Sequence, residues 1–337
     1  MRTTQEGIYR PLLRAAAAFS LGAALVTNVA AQEAVRIGTS SVGSVFYTIA
    51  IGMSEIIQKH GKVSTSVQPL GGSTANVIGI GNKKIEFAIA NAFASFSGYY
   101  GRYNFKKSLD VRLVLQGQPS YRAFLVRKGA NIRTARDMEG KTIVGKRRAL
   151  PEIELVMDAF IKVHGLNPKN IKVVATTNTP EVNNAFKAGT IDAAIMPFSR
   201  KSPQIEQPIR DGVFEFLYID EAKRDEMLKE LPGAFYAGVF EPGVFTDQNK
   251  PVYTVGMNTY LITHSKLGEE TVYRVVKAIL EHLDEFATYH RAGRQYNAKA
   301  ALGTFALPFH DGAVRYFKEK GLWTAAHQAK QDELLKR

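Results

Sequence analysis

Short apolar runs alternate with longer stretches of helical hydrophobic spacing along most of this chain. Residues 35–38 are typical of a strand, and residues 45–60 place Ile49, Met53 and Ile56 on one face of a helix. The same succession of strand, short polar loop and helix recurs several times before residue 220. Alternating elements of this kind build α/β folds with mainly parallel sheets. We therefore predict an α/β protein.

Several expectations concern single elements of this pattern. We predict separate strands at residues 111–115 and 123–126, and a helix that begins at about Pro151. Residues 252–262 are expected to be extended, and residues 271–286 have the periodicity of one continuous helix. The C-terminal third of the chain is expected to be mostly helical.

Two segments with the composition of buried strands resemble each other. Residues 85–90 read Ile-Glu-Phe-Ala-Ile-Ala, and residues 191–196 read Ile-Asp-Ala-Ala-Ile-Met. Each follows a predicted helix that ends near Lys and Gly or Asn. The likeness suggests two halves of similar connectivity. Chance similarity between two buried strands is the alternative.

The N-terminus has the organisation of a secretory signal peptide. Basic residues precede an apolar stretch at residues 15–29, which ends in Val29-Ala30-Ala31 with small side chains before the expected cleavage site. The stretch is short and rich in alanine for a membrane span, although an N-terminal anchor is the alternative. We predict that residues 1–31 are removed on export. The chain has no cysteine that could carry a lipid, so a periplasmic location is expected.

The charge balance narrows the classes of partner. The chain has 337 residues and a net charge of +13, which favours anionic partners. The positive residues are scattered, and there is no long basic tail, zinc-finger spacing or aromatic–basic RNA motif. We therefore expect a small anionic solute as the partner and no nucleic acid.

No motif of a known catalytic or metal centre is present. The seven histidines form no His-Glu-x-x-His pattern, and there is no Gly-x-Ser-x-Gly elbow, P-loop or dinucleotide fingerprint. We expect no catalytic residue, no metal and no cofactor. An enzyme built from dispersed acidic residues would leave no motif, so an exported enzyme stays open as an alternative.

Two polar loops stand at predicted strand–helix junctions. Residues 38–44 and residues 71–76 are rich in glycine and hydroxyl side chains. Exposed amides at helix N-termini attract anions, and ligands of α/β proteins bind beyond the carboxyl ends of parallel strands. Either loop could also be a simple helix cap. Together they predict a small polar pocket for an anion.

Five segments give the chain a resemblance to a known family. Residues 37–47 read Ile-Gly-Thr-Ser-Ser-Val-Gly-Ser-Val-Phe-Tyr, similar to the Gly-Thr-x-Ser-x-Gly-x-x-Tyr start of the TAXI family of solute-binding proteins, which serve TRAP-type transporters. The resemblance covers essentially the whole chain after residue 31. The other matching segments are Ser-Thr-Ala-Asn at 73–76, residues 130–141, Ala-Gly-Thr-Ile-Asp-Ala at 188–193 and Pro-Phe-His-Asp-Gly-Ala at 308–313.

The resemblance implies a fold and a role. It implies a two-lobed periplasmic binding protein of type II-like form, with two mainly parallel sheets flanked by helices and a hinged ligand cleft. Lobe one would comprise residues 32–125 and 256–337, and lobe two residues 126–255. A monomer would capture a small carboxylate such as glutamate or 2-oxoglutarate and dock on TRAP permease membrane subunits. An ABC importer or a sensor kinase as the recipient is the alternative.

The resemblance also implies ligand-binding residues. Separately, the position of Phe198-Ser199-Arg200 directly after the predicted strand 191–196 could bring these residues to the cleft; the alternative is that they do not reach it. The residues that match the family's ligand loops are Thr39, Ser40, Ser41, Val42, Ser44 and Tyr47 in the first loop, Ser73, Thr74 and Asn76 in the second, and Asn91, where the family often has Gln.

The loop that should complete the cleft from lobe two departs from the family. It usually reads Gly-Ser-Gly-Thr, whereas this chain has Lys146, Arg147 and Arg148 there. An arginine could bind a ligand carboxylate with its forked donors. In the alternative, these cations pair with Glu152, Glu154 or solvent.

Phe93 is another departure, because it stands where the family commonly has an aspartate. The loss of that acid and the gain of the arginines suggest a solute that is more anionic, or partly aromatic. We state this as a hypothesis about the ligand.

Overall fold

The computed structural model describes residues 35–200 and 202–336, which form ten strands and twelve α-helices. The predicted signal peptide lies outside the described residues. The strands are β1 Val35–Thr39, β2 Thr65–Pro69, β3 Phe87–Asn91, β4 Arg112–Arg127, β5 Thr142–Arg147, β6 Lys172–Thr176, β7 Ala193–Phe198, β8 Phe214–Phe216, β9 Tyr236–Phe240 and β10 Val252–Thr263. The helices are α1 Val45–Ile56, α2 Ser73–Gly81, α3 Ala92–Tyr100, α4 Glu152–Val163, α5 Thr179–Lys187, α6 Pro203–Arg210, α7 Glu221–Glu230, α8 Glu269–Glu281, α9 Leu283–Tyr289, α10 Ala298–Ala301, α11 Asp311–Glu319 and α12 Ala325–Leu335.

The strands are hydrogen-bonded into one mixed sheet with the order β2-β1-β3-β10-β4-β7-β5-β6. Strand β1 pairs in parallel with β2 and β3, and we call these three strands the first wing. Strand β5 pairs in parallel with β6 and β7, which form the second wing. Antiparallel β10 and β4 join the wings, while β8 pairs with β4 and β9 with β10. The α/β class is confirmed, and the two predicted parallel sheets are the two wings of one continuous sheet.

Strands β4 and β10 pass from one wing to the other. Strand β4 pairs with β10 from Arg112 to Arg122 and with β7 from Tyr121 to Val126. The prediction of two separate strands in this region was therefore wrong. Residues 116–120 are polar and include Gly and Pro, which interrupts the apolar alternation, but pairing with β10 keeps them extended. The predicted lobe boundaries, 125/126 and 255/256, fall inside β4 and β10.

The helix predicted at 271–286 is broken. Helix α8 ends at Glu281 and α9 begins at Leu283, with His282 in a non-helical conformation between them. The His282 ring stacks on that of His60, with the ring centroids 3.4 Å apart. His60 lies in a turn of π-helix, Ile57–Gly61, which continues α1. Periodicity alone missed this break because the stack joins residues far apart in the chain.

The resembling segments occupy equivalent places in the two wings. Strand β3 flanks β10 in the first wing, and β7 flanks β4 in the second. Each wing follows the same chain order, in which the first strand lies at the centre, the second at the outer edge and the third beside a joining strand. The two halves therefore have the similar connectivity that the resemblance between residues 85–90 and 191–196 suggested. Among the described helices, none has the length and hydropathy needed to cross a bilayer.

The packing of α2 against α3 gives a test of this arrangement. A Cβ atom added at Gly98 in α3 would overlap the Val77 side chain of α2, which is fully buried. We expect Gly98→Ala to lower the free energy of unfolding by about 1–3 kcal/mol. Without that contact, alanine in a helix would instead stabilise by about 0.5–1 kcal/mol. Urea denaturation of the protein beginning at Gln32 measures the sign.

Gly233→Ala is the matched control, since a Cβ at Gly233 would meet no atom within 4 Å. Equal stability of the two alanine variants would contradict the close packing of α2 on α3.

Candidate functional site

The carboxyl ends of both sets of parallel strands point toward the middle of β4. Because β10 and β4 are antiparallel to their neighbours, the strands of the second wing run opposite to those of the first. The two carboxyl edges therefore face each other, the arrangement in which α/β proteins bind ligands. The six strands end at Thr39, Pro69, Asn91, Arg147, Thr176 and Phe198.

Loops from the two wings touch across this space. The Thr74 backbone N–H donates to the Ala149 carbonyl oxygen at 3.1 Å. The Gln204 side chain donates to the Gly43 carbonyl. A Cβ atom added at Gly72 would lie 3.0 Å from that of Ala149, so glycine permits the approach. The described structure is thus closed over the space between the wings.

A cavity of about 40 Å³ remains between the wings. On the same scale one enclosed water needs about 10–15 Å³, so the cavity is small and its walls are close together. Its lining comes from the first wing (Ser40, Ser44, Val45, Phe46), from β4 (Gln118, Pro119, Ser120, Arg122) and from the second wing (Leu150, Thr179, Pro197, Phe198, Ser199, Gln204).

Helix N-termini surround the cavity. Val45 and Phe46 begin α1, Thr179 begins α5, and Gln204 lies in the first turn of α6. The first N–H groups of a helix have no intrahelical acceptor, and the helix dipole is positive there. Ser44 uses its Oγ to cap α1 by accepting from the Tyr47 N–H at 3.1 Å. This end of each helix favours negative charge in the cavity.

Arg122 is the charged side chain in the lining, and it is 2% exposed. Its Nη2 lies 2.7 Å from Glu152 Oε1, and its Nη1 donates to Ser120 Oγ and to the Tyr121 carbonyl. Glu152 Oε1 also accepts from Asn91 Nδ2 at 2.8 Å. Within the described residues, Arg122 Nε has no hydrogen-bond partner. A buried donor without a partner is a place where a ligand oxygen or a water is expected.

Arg147 is a second buried arginine, 4% exposed, and no carboxylate oxygen of the described chain lies within 4.0 Å of it. Its guanidinium donates to the Thr177 carbonyl at 3.1 Å, to Thr179 Oγ1 at 3.2 Å and, in the first wing, to the Gly71 carbonyl at 3.3 Å. Burial lowers the pKa of Arg147 to about 10, so the group is still a cation at neutral pH. It is the unpaired charge of the site.

A bulge in β5 accounts for the direction of Arg147. The pairing register with β6 shifts between Val144 and Lys146. Bulges of this kind re-aim the side chains that follow them. Arg147 is consequently buried between the wings, while Lys146 and Arg148 on either side are exposed.

The chain is similar to known proteins in its sequence and in its fold. A family model described as the NMT1-like family matches residues 37–321. The chain belongs to the NMT1-like family. Its fold is similar to that of PhnD1 from Prochlorococcus marinus in complex with methylphosphonate, at a TM-score of 0.55 and 11% identity over 86% of this chain and 99% of that one. It is also similar to that of MatC from Rhodopseudomonas palustris with bound malate. The TM-score is 0.53 and the identity is 12%, over 77% of this chain and 88% of that one. At such identities the likeness shows a shared fold alone.

Several residues expected from the sequence do meet in this NMT1-like protein. Ser40, Ser44 and Phe198 line the cavity. Thr39 is fully buried directly before Ser40, and its Oγ1 has no partner in the described structure. Ser41 Oγ lies 3.5 Å from an Arg147 nitrogen.

Polar side chains of the second predicted loop form hydrogen bonds with backbone groups of the protein itself. Ser73 Oγ accepts from the Asn91 N–H at 3.0 Å, and Asn76 Nδ2 donates to the Ile89 carbonyl at 2.6 Å. Asn91 also caps α3 by accepting from the Ala94 N–H. Ser73, Asn76 and Asn91 are fully buried and stand outside the cavity lining, as does Thr74.

Other predicted residues lie apart from the cavity. Val42 is 58% exposed and Tyr47 is half-buried outside the lining. Lys146 pairs with Glu154 at 2.6 Å, which is the alternative stated for it above, and Arg148 is exposed. Lys146 lies next to the bulge of β5, and Arg148 follows the end of the strand, so both side chains reach solvent.

Phe93 is buried elsewhere. Its ring lies 4.9 Å from Tyr103 and 6.0 Å from Phe235, centroid to centroid. It joins α3 to the segment after α7 and does not line the cavity. The Phe93 ring therefore does not form part of the cavity wall that a ligand would contact.

The residues that sequence reasoning missed are on β4, whereas Ser199 belongs to the segment that was expected to reach the cleft together with Phe198. Gln118, Ser120 and Arg122 point to the cavity from one face of β4, and Ser199 follows β7. Ser199 Oγ is buried and, in the described part of the chain, has no hydrogen-bond partner. The signal that was present is the run of polar residues at 116–122 inside an otherwise apolar strand.

Arg147 should lower the stability of the ligand-free protein, because its charge is buried without a counter-charge. We expect Arg147→Gln to raise the free energy of unfolding at pH 7 by about 1–3 kcal/mol. Since the folded-state pKa is about 10 and the unfolded value is higher, the folded protein loses this proton first as the pH rises. The difference between the variant and the native protein should therefore shrink above that pH.

Urea denaturation at pH 7 and at increasing alkaline pH measures this effect. Arg148→Gln is the matched control, because Arg148 is exposed and its loss should change stability by less than about 0.5 kcal/mol. A clear loss of stability in Arg147→Gln would mean that its hydrogen bonds outweigh the cost of burying the charge.

Proposed function

We propose that this NMT1-like protein is an extracytoplasmic solute-binding protein that captures a small organic acid between its wings. The observation that carries the proposal is the buried Arg147, which has no ion-pair partner among the described residues and donates to Thr179 in the wall of the cavity. The open Nε of Arg122 and the Oγ of Ser199 supply donors inside that cavity. An acid group of a ligand would satisfy these donors and neutralise the site's excess charge.

The proposed motion is a hinge closure. Only β4 and β10 of the main sheet pass between the wings, and the predicted lobe boundaries, residues 125/126 and 255/256, lie within them. We propose that the wings move as lobes about these strands, and that a bound acid favours the closed form because it contacts both sides.

The proposed recipient is a TRAP-type importer. This part rests on the resemblance to the TAXI family, which also implies carboxylates such as glutamate or 2-oxoglutarate as solutes. The neighbours' printed ligands, malate and methylphosphonate, are oxyanions as well. Export after removal of residues 1–31, a periplasmic location and a monomeric state complete the proposal. Delivery to an ABC importer or a sensor kinase would use the same cleft, and a large multi-span membrane protein encoded beside it would favour TRAP.

An enzyme is the less favoured candidate. Among the residues that the structure describes, the cavity lining contains serines but no histidine, lysine or carboxylate that could act as a general base. The nearest acid, Glu152, uses one oxygen to bind both Arg122 and Asn91. These contacts support a site that binds its ligand unchanged.

A thermal-shift screen of the protein beginning at Gln32 against organic and amino acids tests the proposal. A ligand at 100 times its dissociation constant should add about 2.7 kcal/mol and raise the midpoint by several degrees. Calorimetric titration of the best acid should then show binding at least about tenfold weaker for Arg147→Gln, because a charge-assisted contribution of about 1.5–3 kcal/mol is lost.

Arg148→Gln should bind the acid as the native protein does. If no acid raises the midpoint, and native mass spectrometry finds the purified protein free of a bound small molecule, the proposal is wrong.

A further inference from the structure

We infer that the cavity selects acids that carry one net negative charge and discriminates against dianions of the same size. The inference rests on the proposed function and concerns the substrate class of the same site. It follows from the number and position of the buried charges around the cavity, and from how one of them is held.

Among the described residues, Arg122 lines the cavity, and two buried charged side chains lie behind its lining: Glu152 contacts Arg122, and Arg147 donates to Thr179. Arg122 and Arg147 are cations, and Glu152 is an anion with no exposed surface. Glu152 contacts Arg122 directly, at 2.7 Å, so the charge of this pair is balanced within the protein. Arg147 forms no ion pair within the described residues, although Glu152 and the exposed Glu181 act on it electrostatically from farther away.

The other charged groups nearby are in contact with water. Lys146 and Glu154 pair with each other on the surface, and Arg148, Glu181 and Arg200 are exposed. Solvent screens exposed charges much more strongly than buried ones. Among the described residues, the formal side-chain charges that are buried here sum to +1, and the N-termini of α1, α5 and α6 add to this positive potential.

Glu152 is fixed in its position. Its Oε1 accepts from both Asn91 and Arg122, which tie it to β3 and β4. It is also the first residue of α4, where the helix dipole favours a negative charge. The carboxylate of Glu152 therefore stays in place when an acid group enters the cavity, and its charge is already balanced by Arg122.

These charges distinguish the two kinds of acid. One ligand carboxylate would cancel the charge of Arg147 and leave the closed site neutral. A second carboxylate would be desolvated close to Glu152 with no cation to balance it, which is costly in an interior. The small cavity, with Val45, Phe46 and Phe198 on its walls, leaves little room for water to screen that charge. The structure thus argues against the more anionic solute suggested by the sequence.

The test compares acids of equal size and different charge. Calorimetric titrations at pH 7.5 would use succinate with its monoamide succinamate, glutarate with glutaramate, and 2-oxoglutarate with 2-oxoglutaramate, together with the strongest hit of the acid screen. In each pair that binds, we expect the monoamide to bind at least about tenfold more tightly, a difference of about 1.4 kcal/mol.

The outcomes separate this inference from the proposed function. If dicarboxylates bind as tightly as their monoamides or more tightly, the inference is overturned and the acid-binding function stands. If no acid of the pairs or the screen binds to protein shown to be empty, the proposed function fails and the inference fails with it.

Glu152→Gln tests the source of the selectivity. Glutamine keeps an Oε1 acceptor for Asn91 and Arg122 but raises the buried charge by one unit. The ratio of monoamide to dicarboxylate affinity should shift toward the dicarboxylate by at least about tenfold. Glu154→Gln removes a carboxylate from the same helical turn, at an exposed site, and should keep the native ratio. A folded Glu152→Gln with the native ratio would contradict the role of Glu152; if it does not fold, the native pairs alone decide.

Discussion

The ion pair between Arg122 and Glu152 joins three parts of the fold at a point that water does not reach. Arg122 lies on a strand shared by both wings, Glu152 begins a helix of the second wing, and Asn91 ends a strand of the first. A buried pair of this kind adds little stability compared with apolar packing, but the loss of one partner costs about 3–5 kcal/mol. The pair therefore sets the geometry with which the wings close, and it removes one cation from the charge that a ligand meets.

Arg147 has the opposite character, because the protein leaves it unpaired. It donates to carbonyl and hydroxyl oxygens of both wings, which hold the guanidinium without cancelling its charge. Binding sites commonly keep such groups at a cost in stability, since an already neutralised site would have nothing to offer an anion. Donors at the cavity wall and helix N-termini around it add to the same preference. Under the proposed function, the binding energy for an acid would come partly from the neutralisation of a charge that folding buried.

Much of the fold followed from local pattern. The alternation of strand and helix, the polar loop at residues 38–44 and the sequence resemblance between β3 and β7 all correspond to observed features. The continuity of β4 could not be predicted from the sequence, because it depends on pairing with β10, which keeps the polar middle of the strand extended. The break at His282 depends on His60, more than two hundred residues away in the chain. In the site, Ser40, Ser44, Phe198 and Ser199 were expected from their position after strands, whereas Arg122 was missed because it lies inside a strand and in no recognisable loop motif.

The sequence by itself determined the α/β class and the parallel pairing of the wings, and it predicted a pocket for an anion, because hydrophobic period, loop composition and charge are local properties of the chain. Only the tertiary structure decided which charged side chains are buried near the cavity and which are exposed to solvent. Lys146, Arg147 and Arg148 are three consecutive cations in the sequence, yet a bulge and the end of strand β5 leave one buried and two exposed. Likewise Glu152 and Glu154 share one helical turn, but only Glu152 meets Arg122. Burial and pairing depend on contacts between distant segments, and these contacts set the charge of the cavity.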